Sequence, residues 1–376
     1  GKRPGLFVGW GARHAQRQLI DLAERLQAPV ATTLQGLSTF PHDHPLHAGF
    51  GFSASAVPAA QASFEDCDLM IAIGTRFAEI PTGSFSAKVP ENLIHIDIDE
   101  SVFNRNYPSK VSIKGDATEV LKLLNNALSG QAARADSTSL KATIKQLKQD
   151  YANEWQAYDS GERINPYTFF TSLAAQLRDD AAIVLDDGNH TYLAAELLPL
   201  KADMTLLTPT DYNAMGYAVP AAIGAKLAHP ERQTIAIVGD GCFVMTGMEL
   251  LTAQQQGIGI VCFVFNDGEL SQIAQAQQMP YARKPCTTLV GAKFEGMALA
   301  TGAYYVRIET EAELDAYIAQ AFDVAAQGQS VLVDVNIDYS KPTRFTQGTV
   351  KSTFKRFPAR QKLRIAGRAV KRKLFG

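Results

Sequence analysis

The sequence predicts an α/β protein made of two doubly wound parallel-sheet domains. Three observations predict it. Short β-rich runs recur along the 376 residues, helical stretches separate them, and most of the runs end at Gly, Asp or Thr. Strands that alternate with helices imply a parallel sheet with helices on its faces. At roughly 100–200 residues per domain, the length holds two or three domains.

In chain order, the first run is residues 6–8, which stops at Gly9-Trp10-Gly11, and a helix is expected from about residue 15 to 26. Residues 29–33, 69–73, 93–98 and 111–113 supply the next strands, and residues 36–55, with Pro, Gly and the histidines His42, His44 and His47, read as a loop. These make a first domain over residues 1–128. Residues 129–163 read as a linker that starts small and polar at Ser129-Gly130. It continues with helical spacing over 140–158, at Leu140, Ile144, Leu147, Tyr151 and Trp155. Asn165-Pro166 restarts the chain. The second domain, 164–340, holds strand runs at 182–185, 204–207, 234–238, 260–265, 304–308 and 331–337. Residues 341–376 form a basic extension.

Hydrophobic residues make up 46% and charged residues 20% of the chain, which excludes a disordered or collagen-like protein. No apolar run approaches the ~18 residues that span a bilayer, and the apolar stretch at 6–8 is too short for a signal peptide. The four cysteines, Cys67, Cys242, Cys262 and Cys286, form no CxxC pair. They read as buried, reduced thiols of a cytoplasmic protein rather than a metal site or a disulfide framework. The three loop histidines match no zinc spacing and read as polar loop residues. The net charge of −2 conceals an asymmetry. Residues 341–376 carry twelve Lys or Arg and no Asp or Glu, so a tail of +12 follows a body of −14. An acidic body argues against nucleic acid as a partner.

Chemistry concentrates at two strand ends. Gly239-Asp240-Gly241 closes one run and Asn266-Asp267-Gly268 closes the next, 27 residues on from Asp240 to Asp267. A helix is expected after the first, over about 245–256, and helix N-termini attract anions. Either tripeptide alone is a common turn. Together, one strand–helix–strand unit apart, they place two carboxylates across one crevice. A Mg²⁺ or Ca²⁺ that bridges a diphosphate needs such oxygen ligands, and the carbonyl of Glu269 could add another.

Gly239-Asp240-Gly241, 24 intervening residues and then Asn266-Asp267 resemble the thiamine diphosphate motif. The flanks agree. MGYAVPAAIGA at 215–225 resembles a segment of acetolactate synthases and related 2-keto acid decarboxylases. CFVMTGMELLTA at 242–253 resembles the family's helix after the motif, and IGTRF at 73–77 and HIDID at 95–99 resemble its central domain. The resemblance runs from about residue 4 to 340. It implies that Asp240 and Asp267 coordinate Mg²⁺ with the Glu269 carbonyl, Asp267 standing where many relatives have Asn. Gly239, Gly241 and Cys242 belong to the same cofactor-binding segment. Gly188, Asn189 and His190 match a Gly-Gln-His segment at the diphosphate, with Asn189 departing from Gln. Met215 matches the apolar residue that props the bent cofactor, and the backbones of Asn213 and Met215 would hold the pyrimidine edge; without the resemblance Met215 reads equally as a core methionine.

The implied activity is decarboxylation of a 2-keto acid, pyruvate by default, with transfer of the acyl unit to an acceptor. The alternatives are a simple 2-keto acid decarboxylase and a catalytically silent module that binds thiamine diphosphate or a nucleotide. The family's first domain carries a glutamate that helps activate the cofactor, and nothing in these residues resembles that domain. The 376 residues alone are therefore expected to be inactive or nearly so and to bind the cofactor weakly. Family members assemble as homodimers or homotetramers, with the cofactor between subunits. In some the central domain holds FAD or an adenine nucleotide; Arg76, Asp97 and Asp99 sit at strand ends suited to one, but Gly9-Trp10-Gly11 lacks the third glycine of a Rossmann fingerprint. A vestigial domain without ligand is an equal reading. The extension from 349 to 376 lies beyond the resemblance. Over 359–375 it reads as a helix with Leu363, Ala366, Val370 and Leu374 on one side, either a solvated basic arm or a peripheral membrane contact.

Overall fold

The computed structural model of the chain describes every residue except Gly1, Asp136, Asp211, Ala282 and Gly376, and describes no side chain at residues 279, 280 and 369–375. The chain divides into two compact units. One is Gly1–Ala157 with Pro199–Met204 and Thr343–Thr349; the other is Tyr158–Leu198 with Thr205–Pro342 and Val350–Gly376.

The first unit holds six strands: β1 (Pro4–Val8), β2 (Val30–Thr32), β3 (His47–Phe50), β4 (Leu69–Ile73), β5 (Leu93–Asp97) and β6 (Val111–Lys114). All pair in parallel, in the order β3-β2-β1-β4-β5-β6. The helix Gln16–Leu26 buries Leu19, Leu22 and Ala23, spaced three and four apart, against Leu6 and Val8 of β1. β3 lies where the sequence predicts a loop. Its run His-Ala-Gly-Phe lacks both alternation and a β-branched residue, and Gly49 at φ +115 breaks the register with β2. The helical part of the predicted linker, Thr138–Gln156, packs in this unit, with Ile144, Tyr151 and Trp155 buried.

The second unit holds β7 (Ala182–Leu185), β8 (Thr205–Leu207), β9 (Thr234–Gly239), β10 (Val261–Phe265), β11 (Tyr304–Ile308) and β12 (Val331–Val335). They form a second parallel sheet, ordered β11-β12-β10-β9-β7-β8. β7, β9, β10 and β12 are buried at every residue, which is why they read as near-continuous apolar runs. Along β10 the two faces separate cleanly. Phe263 and Phe265 meet Phe169 edge-to-face at 5.4 and 4.8 Å, while Cys262 and Val264 join the core around Val238 and Phe243. The two doubly wound sheets agree with the predicted fold class. The cysteines agree less well: Cys242 and Cys262 are buried, Cys67 is half-buried and Cys286 is exposed on the chain's surface.

The loop histidines do more than cover the first sheet. His47 is buried and His42 half-buried, and their rings stack with centroids 4.3 Å apart. Lys148, from the helix Thr138–Gln156, donates to the His42 carbonyl at 3.0 Å and to His47 Nδ1 at 3.1 Å. Burial, then the Lys148 charge, pushes His42 down to about 3, and burial brings Lys148 down to about 8. Both histidines are thus neutral in the fold. Unfolding frees His42 to bind a proton below its ordinary value of 6.5, so stability drops as pH falls from about 6.5 toward 3. Thermal unfolding at pH 7 and pH 4 should show a loss of roughly 2–4 kcal/mol from this group. His42→Phe should show a smaller loss over the same interval, whereas an unchanged loss would exclude His42 as its source.

Candidate functional site

In the second sheet β8 lies on one side of β7 and β9 on the other, so the chain's connections diverge between β7 and β9. Doubly wound sheets take ligands beyond the carboxyl ends of strands at such a point. Three strand ends meet there: Asp186-Asp187-Gly188 after β7, Asp240-Gly241 after β9, and Asn266-Asp267-Gly268 after β10.

β9 passes into the helix Asp240–Thr246 without a loop, with Gly239 as the last extended residue. The helix therefore begins before the predicted 245. Asp240 and Gly241 are tolerated in its first turn because the N–H groups there have no partner within the helix. Asp240 is buried, and its Oδ1 accepts from Gly241 N at 2.7 Å while its Oδ2 accepts from Gly268 N at 2.8 Å. The second bond ties the ends of β9 and β10 together. Asp267 accepts from Glu269 N at 3.3 Å and from the Ser271 hydroxyl. Asn266 fixes this turn from below: its side chain donates to Asp334 of β12 at 3.0 Å, and Asp334 is held by Arg307 at 2.5 Å. Burial, then the neighbouring Asp267 charge, pushes Asp240 up to about 6, and burial raises Asp267 as well. Asp187 also rises to about 6, through burial and the charge of Asp186.

A cleft opens over these groups. It is lined by Gly188, Asn189, His190, Met215, Gly239, Asp240, Gly241, Cys242 and Glu269, which gathers most of the sequence-predicted residues. Asp267 stands beneath it through its bond to Glu269 N. Asn213 is exposed and outside the lining; its N–H donates to the Pro209 carbonyl, in a left-handed turn at φ +50. The Glu269 carboxylate turns to Lys284 and Thr287, at 2.8 and 2.9 Å, so only its backbone is placed to serve the cleft. The Cys242 thiol donates to the Asp187 carbonyl at 3.2 Å, and burial raises its pKa, so it is an inert wall rather than a nucleophile. His190 is buried, and burial brings it down to about 4 against the opposing pull of Asp186; its Nε2 has no hydrogen-bond partner among the described residues. A Cβ at position 241 would come within 2.6 Å of the Leu270 side chain, so a larger residue there would push Leu270 across the cleft wall.

Two residues that sequence reasoning missed complete the site. Asp186 is fully buried, and its carboxylate accepts from Asp187 N at 2.9 Å, Gly216 N at 2.8 Å and Ala218 N at 2.8 Å. It pins the turn that presents Met215, which rests on the core beside Cys242 and needs Gly216 at φ +84. The one signal available was a second aspartate directly after a buried strand. Tyr339 lines the cleft, and its buried hydroxyl has no partner among the described residues; burial and then the charges of Asp267 and Asp240 raise its pKa. It lies past the last strand, where no pattern in the sequence marks it.

The described residues offer no group of three or more His, Cys, Asp or Glu able to hold a metal. Two carboxylates and a carbonyl need a ligand that brings its own oxygens, which a diphosphate does.

The description "Thiamine pyrophosphate enzyme, central domain" matches residues 1–124, and "Thiamine pyrophosphate enzyme, C-terminal TPP binding domain" matches residues 186–335. The chain belongs to the thiamine pyrophosphate enzymes. Its central domain is the first sheet, and its TPP binding domain contains the cleft. The chain is 37% identical over 288 residues to the acetolactate synthase large subunit of Corynebacterium glutamicum, covering 74% of this chain and 45% of that one. It is 30% identical over 346 residues to the acetolactate synthase large subunit of Haemophilus influenzae, covering 90% and 60%. It is 28% identical over 346 residues to the acetolactate synthase isozyme 3 large subunit of Escherichia coli, with the same coverage. The chain thus spans about half the length of the curated relatives it matches. In the central domain, the Asp97 and Asp99 carboxylates accept from Asp99 N and Ser101 N and so close local turns.

Asp186→Asn leaves one of three backbone N–H groups facing an amide N–H in place of an acceptor. The expected cost is about 1–3 kcal/mol of stability, with weaker cofactor binding through the loosened Met215 turn. Thermal unfolding and calorimetric titration with thiamine diphosphate check this; an unchanged melting temperature would remove Asp186 from the role.

Proposed function

We propose that the cleft holds thiamine diphosphate by its diphosphate through Mg²⁺, and that the whole protein uses it as acetolactate synthases do. The reaction is decarboxylation of a 2-keto acid, pyruvate by likeness to those relatives, with transfer of the acyl unit to an acceptor. The observation that supports this most is the pairing of Asp240 and Asp267 at the ends of adjacent strands, with Asp240 in the wall of the cleft.

In this reading Asp240, Asp267 and the Glu269 carbonyl hold the cation. The backbone at Gly188, Asn189 and His190, at the start of the helix Asn189–Leu197, faces the phosphate oxygens. Neutral His190 adds a polar atom at the cleft without adding charge. Gly239 and Gly241 keep the floor low, and Cys242 closes its wall. Met215 supports the bound molecule from the Asp186-pinned turn, and Asn213 contributes backbone at the pyrimidine edge. Leu270 and Ile273 shield the cleft from water. When bound, the thiazolium ring supplies the electron sink for cleavage of the carboxylate carbon bond. Activation of that ring is assigned to a glutamate of the family's pyrimidine-binding domain, so these 376 residues alone are proposed to bind weakly and to turn over little or no substrate.

Self-association into a dimer or tetramer accords with the apolar side chains that the helices beside the cleft leave exposed, among them Val244, Met245, Met248 and Leu251. No helix among the described residues is long and apolar enough to cross a membrane, and a cytoplasmic setting remains part of the proposal.

Calorimetric titration with thiamine diphosphate tests the cation site. Binding should require Mg²⁺, vanish with a chelator and fail for thiamine lacking the diphosphate. Asp240→Asn and Asp267→Asn should each weaken it at least about tenfold, or about 1.4 kcal/mol. Binding that survives the chelator and both substitutions would exclude this arrangement.

A further inference from the structure

We propose that the C-terminal basic helix, Ala359–Phe375, is a peripheral membrane contact: it lies along a surface of acidic phospholipid, with Leu363 and Ala366 entering between the headgroups and the neighbouring arginines meeting lipid phosphates.

Three observations carry this independently of the cofactor reading. The first is charge. Residues 341–376 hold twelve Lys or Arg and no acidic residue, which suits an anionic surface. The second is the side on which the apolar groups lie. Leu363 is 73% exposed and Ala366, three residues on, is exposed as well, while Lys362 and Ile365 are half-buried. The helix therefore seats Ile365 and the Lys362 stem inward and presents Leu363 and Ala366 outward. Ile365 thus turns toward the chain while Leu363 and Ala366 remain in solvent. The side chains of Val370 and Leu374, predicted on the same side, lie outside the described residues. The third is the border of that stripe. Arg360 and Arg364, both exposed, stand one turn before Leu363 and directly after it. A narrow apolar stripe edged by cations, on a helix of low overall hydrophobicity, rests in the plane of a bilayer interface and does not span it.

The same cations could attract nucleic acid, but an outward leucine and alanine contribute nothing to phosphate or base contacts. Repulsion from the acidic body fades within about 10 Å at 0.1 M salt, which leaves an exposed basic helix able to approach an anionic surface.

Sedimentation of the full 376-residue chain with vesicles tests the proposal. One set is phosphatidylcholine; the other contains about 30% phosphatidylglycerol. The chain should pellet at least about tenfold more with the acidic vesicles, a preference that shrinks in high salt. Leu363→Glu should reduce pelleting about tenfold, because burial of one leucine carries about that factor. Leu363→Trp should add emission that shifts to the blue only with acidic vesicles, marking entry of position 363 into the interface. A chain ending at Pro358 should not pellet. Equal pelleting with both vesicle types, indifference to Leu363→Glu, or tighter binding to a mixed-sequence RNA oligonucleotide than to acidic vesicles would each overturn it. Unchanged far-ultraviolet circular dichroism and melting of the variants separates loss of membrane contact from loss of fold.

Discussion

Two carboxylates forced together at the ends of adjacent buried strands set the terms for the rest of this structure. The pairing of β9 with β10 aligns Gly239 with Phe265, so the residues that follow, Asp240 and the Asn266-Asp267 turn, emerge side by side. The sheet register leaves no freedom in this. Burial raises both groups, the Asp267 charge raises Asp240 further, and Asp187 rises beside them through burial. Asp187 and Asp240 line the cleft with raised carboxyls, and acidic walls repel a diphosphate unless a cation offsets their charge.

Around that pair, the supporting bonds run between strand ends rather than within one segment. Gly268 N reaches Asp240, and Asn266 reaches Asp334, which Arg307 holds. Asp186, at the end of β7, reaches across to Gly216 and Ala218. Asp240 and Asp186 each accept a backbone N–H from another loop, and Asp334 accepts from the Asn266 and Arg307 side chains, so these strand ends share one geometry. Preorganisation of this kind keeps the ordering cost of binding low. What remains unpartnered, the His190 Nε2 and the Tyr339 hydroxyl, faces the cleft, where a ligand's polar atoms can satisfy it.

The fold was legible because buried parallel strands announce themselves. TIAIV and VCFVF can hardly be anything but central strands, and a Gly-Asp pair after each locates the crevice. β3 was not legible, since its pairing comes from β2 and from Gly49 at φ +115 rather than from any propensity of His-Ala-Gly-Phe. Asp240 and Asp267 were legible through spacing. Asp186 was passed over because a buried acid whose work is to hold a backbone leaves the same trace as a strand-ending turn. Tyr339 was invisible because its place in the cleft depends on how the chain returns after β12. The helix start at Asp240 was missed because propensity disfavours Asp and Gly inside helices, a rule that lapses in the first turn.

The histidine pair and the basic helix show the same chain handling charge in opposite ways. His42 and His47 are kept neutral by burial beside a lysine that is itself depressed, so the first unit tolerates a buried polar cluster only while its imidazoles stay uncharged. The C-terminal helix instead keeps Arg360, Arg364 and Arg368 exposed, and it leaves Leu363 and Ala366 exposed while Lys362 and Ile365 are half-buried. The rest of the chain is acidic and attracts the flanking cations, yet Leu363 between Arg360 and Arg364 is 73% exposed. An exposed leucine between arginines is thus not the resting arrangement that the body's own charge favours. It is the arrangement that a separate anionic, partly apolar surface would select.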